Sequence, residues 1–284
     1  MSEFEFCTKE HIAEYIKENK ERLKRNIDEQ IAKGHVRPRL LIIQVGDNPA
    51  SNRYVKGKIS DANEVGIEAT LMKFPVNITC EEMINFLKAE IKNYHACIIQ
   101  KPTNLDIDSN FHNVIKFIPP EKDVDGFKND SEHYACTPLG VVNYLTYSKG
   151  KNWFKGKHAV IVGRSELVGR PLFDMLLDKD CTVTVCHSKT KNLKEICLSA
   201  DLIVSAVGKG NMINSDYIKN EYTTVINVGF DFDSNGKMIG DVDVNSVKEV
   251  TNWCTPVIGS SGLWTRLSLM QNTFDAYLVQ ENSQ

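Results

Sequence analysis

The sequence lacks any apolar run approaching the roughly 20 residues that a membrane helix needs. Its opening stretch, MSEFEFCTKEHIAEYI, carries acids where a secretion signal needs a basic patch followed by an apolar core. A soluble, cytoplasmic protein is expected. Net charge is also scarce: 34 basic and 37 acidic residues nearly cancel to −3, which leaves no broad electrostatic footprint for nucleic acid or a membrane surface. Neither is an expected partner. The eight cysteines (Cys7, Cys80, Cys97, Cys136, Cys181, Cys186, Cys197, Cys254) never form a CxxC pair, which fits neither a zinc site nor a small disulfide framework. Most should be small buried apolar groups. No internal repeat or low-complexity tract is visible. What remains is a globular composition, 42% hydrophobic and 25% charged over 284 residues, long enough for two domains.

Strands and helices alternate along most of the chain. Ile12, Ile16, Leu23, Ile27 and Ile31 recur at helical spacing between Thr8 and Lys33, with Gly34 as a stop. RLLIIQV (Arg39 to Val45) reads as a buried parallel strand, followed by a helix from about Ala50 to Val65, a strand EATLMKF, a helix opened by a Thr79/Glu82 capping box, and a strand HACIIQ. After an irregular stretch from Lys101 to Ala135, Thr137 and Pro138 are expected to cap and open a helix through Tyr147. The polar segment SKGKNWFKGK then reads as a connection between domains. Beyond it, HAVIV, CTVTVC, DLIVSAV and TTVINV are four short apolar strands with helices between them, the pattern of a doubly wound nucleotide-binding sheet. A last helix from about Leu263 to Gln280 places Leu263, Leu267, Met270, Phe274 and Leu278 on one stripe. The fold class is α/β in two domains.

The strand HAVIV runs into Gly163, Arg164, Ser165, Glu166, Leu167, Val168 and Gly169, a glycine-bearing turn that opens a helix. Such a turn aims backbone N–H groups outward, and the helix dipole favours a phosphate there. The spacing is not GxGxxG, so a purely structural strand-to-helix turn also fits. The next strand ends in Cys186, His187, Ser188 and Lys189, with no carboxylate of the kind that binds a free ribose hydroxyl. Arg164, Ser188 and Lys189 could instead donate charge-assisted hydrogen bonds to a 2′-phosphate, which favours NADP over NAD. Ordinary solvated surface cations would look the same.

In the first half, Tyr54 and Lys58 stand four apart and project from one face of the second helix, just beyond the first strand and the turn Gly46-Asp47-Asn48-Pro49. An aromatic ring can stack on a flat ligand while a partly desolvated lysine exchanges a proton near neutral pH. An exposed lysine beside a packed tyrosine would give the same spacing. Gln100 ends the third strand and offers a donor and an acceptor. In the loop PPEKDVDGF, Asp123 and Asp125 could cap turns, or one could receive ring N–H groups from a heterocycle.

Taken in order, YVKGK, Gln100, PPEKDVDGF, CTPLGVVNYL, VGRSELVGRP, CHSKTKNL, ADLIVSAVGK, VINVGF, GKMIGDVD and Thr255-Pro256 resemble the methylenetetrahydrofolate dehydrogenase/cyclohydrolase family over roughly residues 39 to 276. The resemblance implies a folate-binding α/β domain over 1–147, a Rossmann-like NADP-binding domain over 148–262, and a helix over 263–284 that returns to the first domain. It places the active site in the cleft between them. It further implies oxidation of 5,10-methylenetetrahydrofolate with NADP, hydrolysis of the product to 10-formyltetrahydrofolate, a homodimer, and no metal. By position in the matching motifs, Lys58 would assist the hydrolysis with Gln100, Tyr54 would stack near the folate, and Asp125 would anchor the pterin. Gly163, Arg164, Ser165, Val168, Gly169, His187, Ser188 and Lys189 would hold the NADP.

Two segments depart from the family pattern. The usual QLPLP after the third strand is Gln100-Lys101-Pro102-Thr103-Asn104, and the usual PGGVGPMT is Ile258-Gly259-Ser260-Ser261-Gly262-Leu263-Trp264-Thr265. Such changes would also suit a dehydrogenase for another small substrate, or a regulator that binds folate or nucleotide without turnover.

Overall fold

The computed structural model describes residues 7–282. They divide into two compact units, one made of Lys17–Cys136 with the chain from Arg266 onward, the other of the chain up to Ile16 with Thr137–Thr265.

The first unit is built on a three-stranded parallel sheet in the order β2-β1-β3, where β1 is Arg39–Val45, β2 Glu68–Phe74 and β3 Ala96–Gln100. Side chains alternate across it, as the pleat requires. On one face Leu40, Ile42, Ala96 and Ile98 pack with Leu23 and Ile27 of α1 (Lys9–Ala32), Val55 and Ala62 of α2 (Pro49–Val65), and Met270, Phe274 and Tyr277 of the C-terminal helix. On the other, Leu41, Ile43, Cys97 and Ile99 meet Met83 and Leu87 of α3 (Cys80–Glu90). The Thr79/Glu82 capping box forms at the start of α3 as expected.

The stretch 101–135, expected to be irregular, holds two five-residue helices, α4 (Leu105–Ser109) and α5 (Phe111–Ile115). Each is too short to show a hydrophobic period. Asn104 caps α4 through the Ile107 amide at 2.8 Å, and both helices bury apolar residues: Ile107 in α4 and Phe111, Val114 and Ile115 in α5. The next helix, α6 (Cys136–Lys149), starts before Thr137, which therefore lies in the first turn and does not cap it. Its hydroxyl meets Thr265 Oγ1 at 2.9 Å instead.

The second unit carries a five-stranded parallel sheet in the order β10-β7-β6-β4-β5. The four expected strands are β4 (His158–Val162), β5 (Thr182–Cys186), β6 (Leu202–Ser205) and β7 (Thr224–Asn227), and β10 (Trp253–Cys254) is a two-residue addition at the edge. Helices α7 (Gly169–Leu177), α8 (Leu193–Cys197) and α9 (Val244–Val247) intervene, and β8 (Phe230–Phe232) pairs with β9 (Met238–Gly240) as a separate antiparallel hairpin. Residues 148–157 lie inside this unit: Phe154 is fully buried, and its carbonyl accepts from Cys181 Sγ. Seven cysteines are buried and only Cys80 is partly exposed, in keeping with the sequence expectation.

The last helix, α10 (Ser261–Asn282), buries far more than one stripe. Leu269, Ala276 and Tyr277 are as enclosed as Met270 and Phe274. At its start Trp264 stacks on Tyr144 of α6, ring centroids 4.4 Å apart, and an added Cβ at Gly140 would lie 2.7 Å from the Trp264 Cβ. The indole is thus a core side chain of the second unit.

Candidate functional site

In the first unit the Asn48 side chain accepts from the Ala50 and Ser51 amides, and Pro49 opens the helix, so α2 begins directly after β1. Two turns on, Lys58 is 3% exposed. Its Nζ lies 3.9 Å from Asp125 Oδ2 and 5.2 Å from the centre of the Tyr54 ring. An enclosed lysine needs partners for its polar end, and a carboxylate and a π surface face it here.

Asp125 is fixed by its backbone. Gly126 adopts φ +69°, and a Cβ there would come within 2.6 Å of the Ala135 amide. The carbonyl of Val124 accepts from Cys136 Sγ at 3.1 Å and from Asn272 Nδ2 at 2.9 Å. Asp123, also buried, accepts from the Lys128 amide at 2.9 Å. Burial raises its carboxyl above the ordinary 3.8; the Lys128 amide works against this and the charge of Asp125 with it.

Gln100 continues the Ala96 and Ile98 side of β3, the face that α2 covers. Its Nε2 donates to the Lys101 carbonyl at 2.7 Å, while its Oε1 is buried with no hydrogen-bond partner among the described residues. A buried acceptor left open in this way suits a ligand or water that donates. The departure at Lys101 leads elsewhere. Its Nζ sits 4.2 Å from the centre of the Phe111 ring and 3.8 Å from Asp108 Oδ1, and Asp108 also takes the Thr103 hydroxyl. Phe111 belongs to the core on the opposite face of the sheet, so the added cation is compensated away from Lys58.

In the second unit, Gly163 follows β4 at φ +129° and its amide donates to the Cys186 carbonyl at the end of β5. A Cβ at Gly163 would overlap the Ala206 carbonyl, and one at Gly169 would overlap that of Gly163. Both positions need glycine for the chain to fold back this tightly. Within the turn the Val168 amide donates to Ser165 Oγ and the Arg170 amide to the Ser165 carbonyl. Arg164 and Ser165 are exposed. After β5 the His187 amide donates to Thr190 Oγ1, and the Lys189 amide to His187 Nδ1, leaving Ser188 and Lys189 exposed beyond the strand end. The predicted residues therefore form two adjoining turns at the carboxyl ends of neighbouring parallel strands, where α/β sheets bind nucleotides. Glycine where a side chain could not fit, exposed cations and no carboxylate at the end of β5 fit a dinucleotide with a 2′-phosphate.

The sequence reading missed three supports. Asn272, on α10, holds the loop of Asp125. Asp241 is fully buried and accepts from Ser205 Oγ and from the amides of Val207 and Lys209, fixing the loop after β6 beside the Gly163 turn. Asp61, on the buried face of α2, is paired with Lys20 and Arg266. For Asn272 and Asp61 the only sequence signal is a polar residue inside an apolar pattern; Asp241 sits in the GKMIGDVD motif, and neither signal names a partner.

Among the described residues no group of three or more His, Cys, Asp or Glu could hold a metal ion, and no helix is long and apolar enough to cross a membrane.

Comparison with known proteins places both units. Residues 10–125 match the family described as tetrahydrofolate dehydrogenase/cyclohydrolase, catalytic domain, and residues 135–281 the tetrahydrofolate dehydrogenase/cyclohydrolase, NAD(P)-binding domain. The bifunctional protein FolD of Oceanobacillus iheyensis is 38% identical over 274 residues, covering 93% of this chain and 94% of that one. That of Variovorax paradoxus is 41% identical over 256 residues, 86% and 88% of the two chains. Among solved structures, the bifunctional FolD methylenetetrahydrofolate dehydrogenase/cyclohydrolase of Campylobacter jejuni superposes with a TM-score of 0.87 at 35% identity, covering 94% of this chain and 96% of that one. The Trypanosoma brucei enzyme, solved with NADP and an inhibitor, gives 0.84 at 27% identity over 94% and 95%. With both halves of the chain matched and relatives this similar over most of their length, the protein belongs to the tetrahydrofolate dehydrogenase/cyclohydrolase family.

Proposed function

We propose that the protein oxidises 5,10-methylenetetrahydrofolate to 5,10-methenyltetrahydrofolate with NADP and hydrolyses the latter to 10-formyltetrahydrofolate. The observation that carries this reading is the enclosed Lys58 between Asp125 and Tyr54. Hydrolysis adds water to the cationic methenyl carbon, releases one proton and breaks one carbon–nitrogen bond of the resulting tetrahedral carbon. It needs a group that takes a proton from the water and can return it to the departing nitrogen. Lys58 supplies that group, and Gln100 Oε1 an acceptor that orients water or the lysine. Asp125 accepts ring N–H groups of the pterin, and the Tyr54 ring offers a stacking face.

NADP, when bound, supplies the hydride acceptor of the first step. Gly163, Ser165, Val168 and Gly169 would hold its phosphates, and Arg164, His187, Ser188 and Lys189 its adenosine 2′-phosphate side. On this reading residues 1–147 with 263–284 serve the folate and 148–262 the cofactor. A cytoplasmic homodimer belongs to the same proposal; supporting it, the β8–β9 hairpin presents Phe230 and Phe232 at 52% and 51% exposure. The test is a paired assay on purified, folded protein that follows NADPH formation from 5,10-methylenetetrahydrofolate and loss of methenyl absorbance, with NADP and NAD side by side. Both activities with NADP preferred are expected. No reduction of NADP would remove the dehydrogenase, and no methenyl loss above the uncatalysed rate would remove the hydrolase.

A further inference from the structure

Asp61 lies three residues beyond Lys58 on the same buried face of α2. At that spacing two side chains are neighbours, with Cβ atoms roughly 5–6 Å apart. A bare carboxylate there would hold the proton on Lys58. It is not bare. Lys20 Nζ of α1 reaches Asp61 Oδ1 at 2.6 Å, and Arg266 Nε of α10 reaches Asp61 Oδ2 at 2.5 Å. Lys20 also meets Glu64 at 2.7 Å. Two cations and two anions thus close a neutral cluster drawn from three helices.

Arg266 also packs against Gly57, the residue before Lys58. A Cβ at Gly57 would lie 2.8 Å from Arg266 Nη1 and 3.1 Å from its Cζ. The guanidinium therefore lies against the backbone of α2 at the residue before Lys58. The remaining groups that meet Lys58 are Tyr54 on its own helix, Asp125 on the loop before α6 and the Cys136 thiol; Gln100 ends β3 on the sheet face that α2 covers, and Asp123 lies two residues before Asp125. Burial raises that thiol well above its ordinary value and keeps it neutral. Asp125 is the carboxylate that pairs with Lys58, at 3.9 Å.

We infer that Arg266 is a positioning residue that, with Lys20, cancels the buried charge of Asp61 and so sets the pH at which Lys58 gives up its proton. The inference rests on the proposed function only for its consequence: if Lys58 handles the proton in hydrolysis, Arg266 sets the acid limb of that activity. Removing Arg266 leaves the cluster with one net negative charge, and removing the charge of Asp61 leaves it with one net positive. Removing both restores neutrality.

The experiment titrates Lys58 by NMR in ¹³C-lysine-labelled full-length protein, the signal assigned by its loss in Lys58→Met, alongside the pH dependence of methenyltetrahydrofolate hydrolysis. In Arg266→Met the Lys58 midpoint should rise by about one pH unit, the low end of the shift a neighbouring charge causes, with the acid limb following. Asp61→Asn should lower it, Asp61→Asn/Arg266→Met should return it close to wild type, and Arg266→Lys should hold it there. If Arg266→Met does not fold, the downward shift in Asp61→Asn and the wild-type value in the double variant carry the test. A Lys58 midpoint that stays put in the single variants, or that moves equally in single and double variants, overturns the inference. A moved midpoint with an unmoved hydrolysis profile leaves the inference standing and removes Lys58 from the proposed chemistry.

Discussion

The side-chain amide of Asn272, on α10, donates to the carbonyl of Val124, the residue before Asp125, at 2.9 Å, and to the carbonyl of Tyr134 at 3.0 Å. A helix from the end of the chain thereby pins the loop that aims the Asp125 carboxylate. Replacing Asn272 with Ala leaves buried carbonyls short of a donor, at a cost of about 1–3 kcal/mol. Asn272→Ala should lower the melting temperature by several degrees and raise KM for the folate substrate several-fold, with the Kd for NADP unchanged. Thermal unfolding, steady-state kinetics and calorimetry check the three.

Trp264 gives a different expectation. Its ring is buried on Tyr144, yet its Nε1 has no hydrogen-bond partner among the described residues. Trp264→Ala should cost roughly 3–5 kcal/mol through the cavity it opens. Trp264→Phe keeps a ring and removes the unpaired donor, so it should stay within about 1.5 kcal/mol of wild type. Both are read by denaturant unfolding.

The exposed cations at the ends of β4 and β5 should matter for one cofactor only. Arg164→Ala and Lys189→Ala should each weaken NADP binding about tenfold or more, the worth of a charge-assisted hydrogen bond, and leave NAD affinity within about twofold. Calorimetric titration of the two nucleotides separates this from a general loss of binding.

His95 predicts a pH effect on stability. Burial lowers its pKa below the ordinary 6.5, with Glu281 opposing the shift. Its Nδ1 accepts the Arg39 amide at 2.9 Å, a bond that needs an unprotonated Nδ1. Below pH 6.5 the unfolded chain therefore binds this proton before the folded one, so stability falls as pH drops from 6.5 through the lower folded value. His95→Gln should flatten that part of the melting-temperature profile between pH 7 and 5.

Much of this architecture is written in local pattern. RLLIIQV and HAVIV are apolar runs of strand length and occur as β1 and β4 with the expected bounds, and Thr79 and Glu82 state their own capping box. Tyr54 and Lys58 share a helix face because four residues make about one turn. Partnerships across the chain are a different matter. Nothing near Asp61 in sequence names Arg266, and Asn272 looks like any polar residue in a helix. Lys101 reads as a cation added beside Gln100; only the fold shows that, just past the end of β3, it turns to Asp108 and to Phe111 of the core on the far face of the sheet. The short elements α4, α5, β8, β9 and β10 carry too few residues to show any period.

The most direct test of the central claim compares Lys58→Ala with wild type in hydrolysis of 5,10-methenyltetrahydrofolate, alongside NADP binding. Lys58→Ala should lose at least ~100-fold in hydrolysis, the scale of a removed acid–base group, with the Kd for NADP unchanged within about twofold. Equal hydrolysis by the two proteins would contradict the claim.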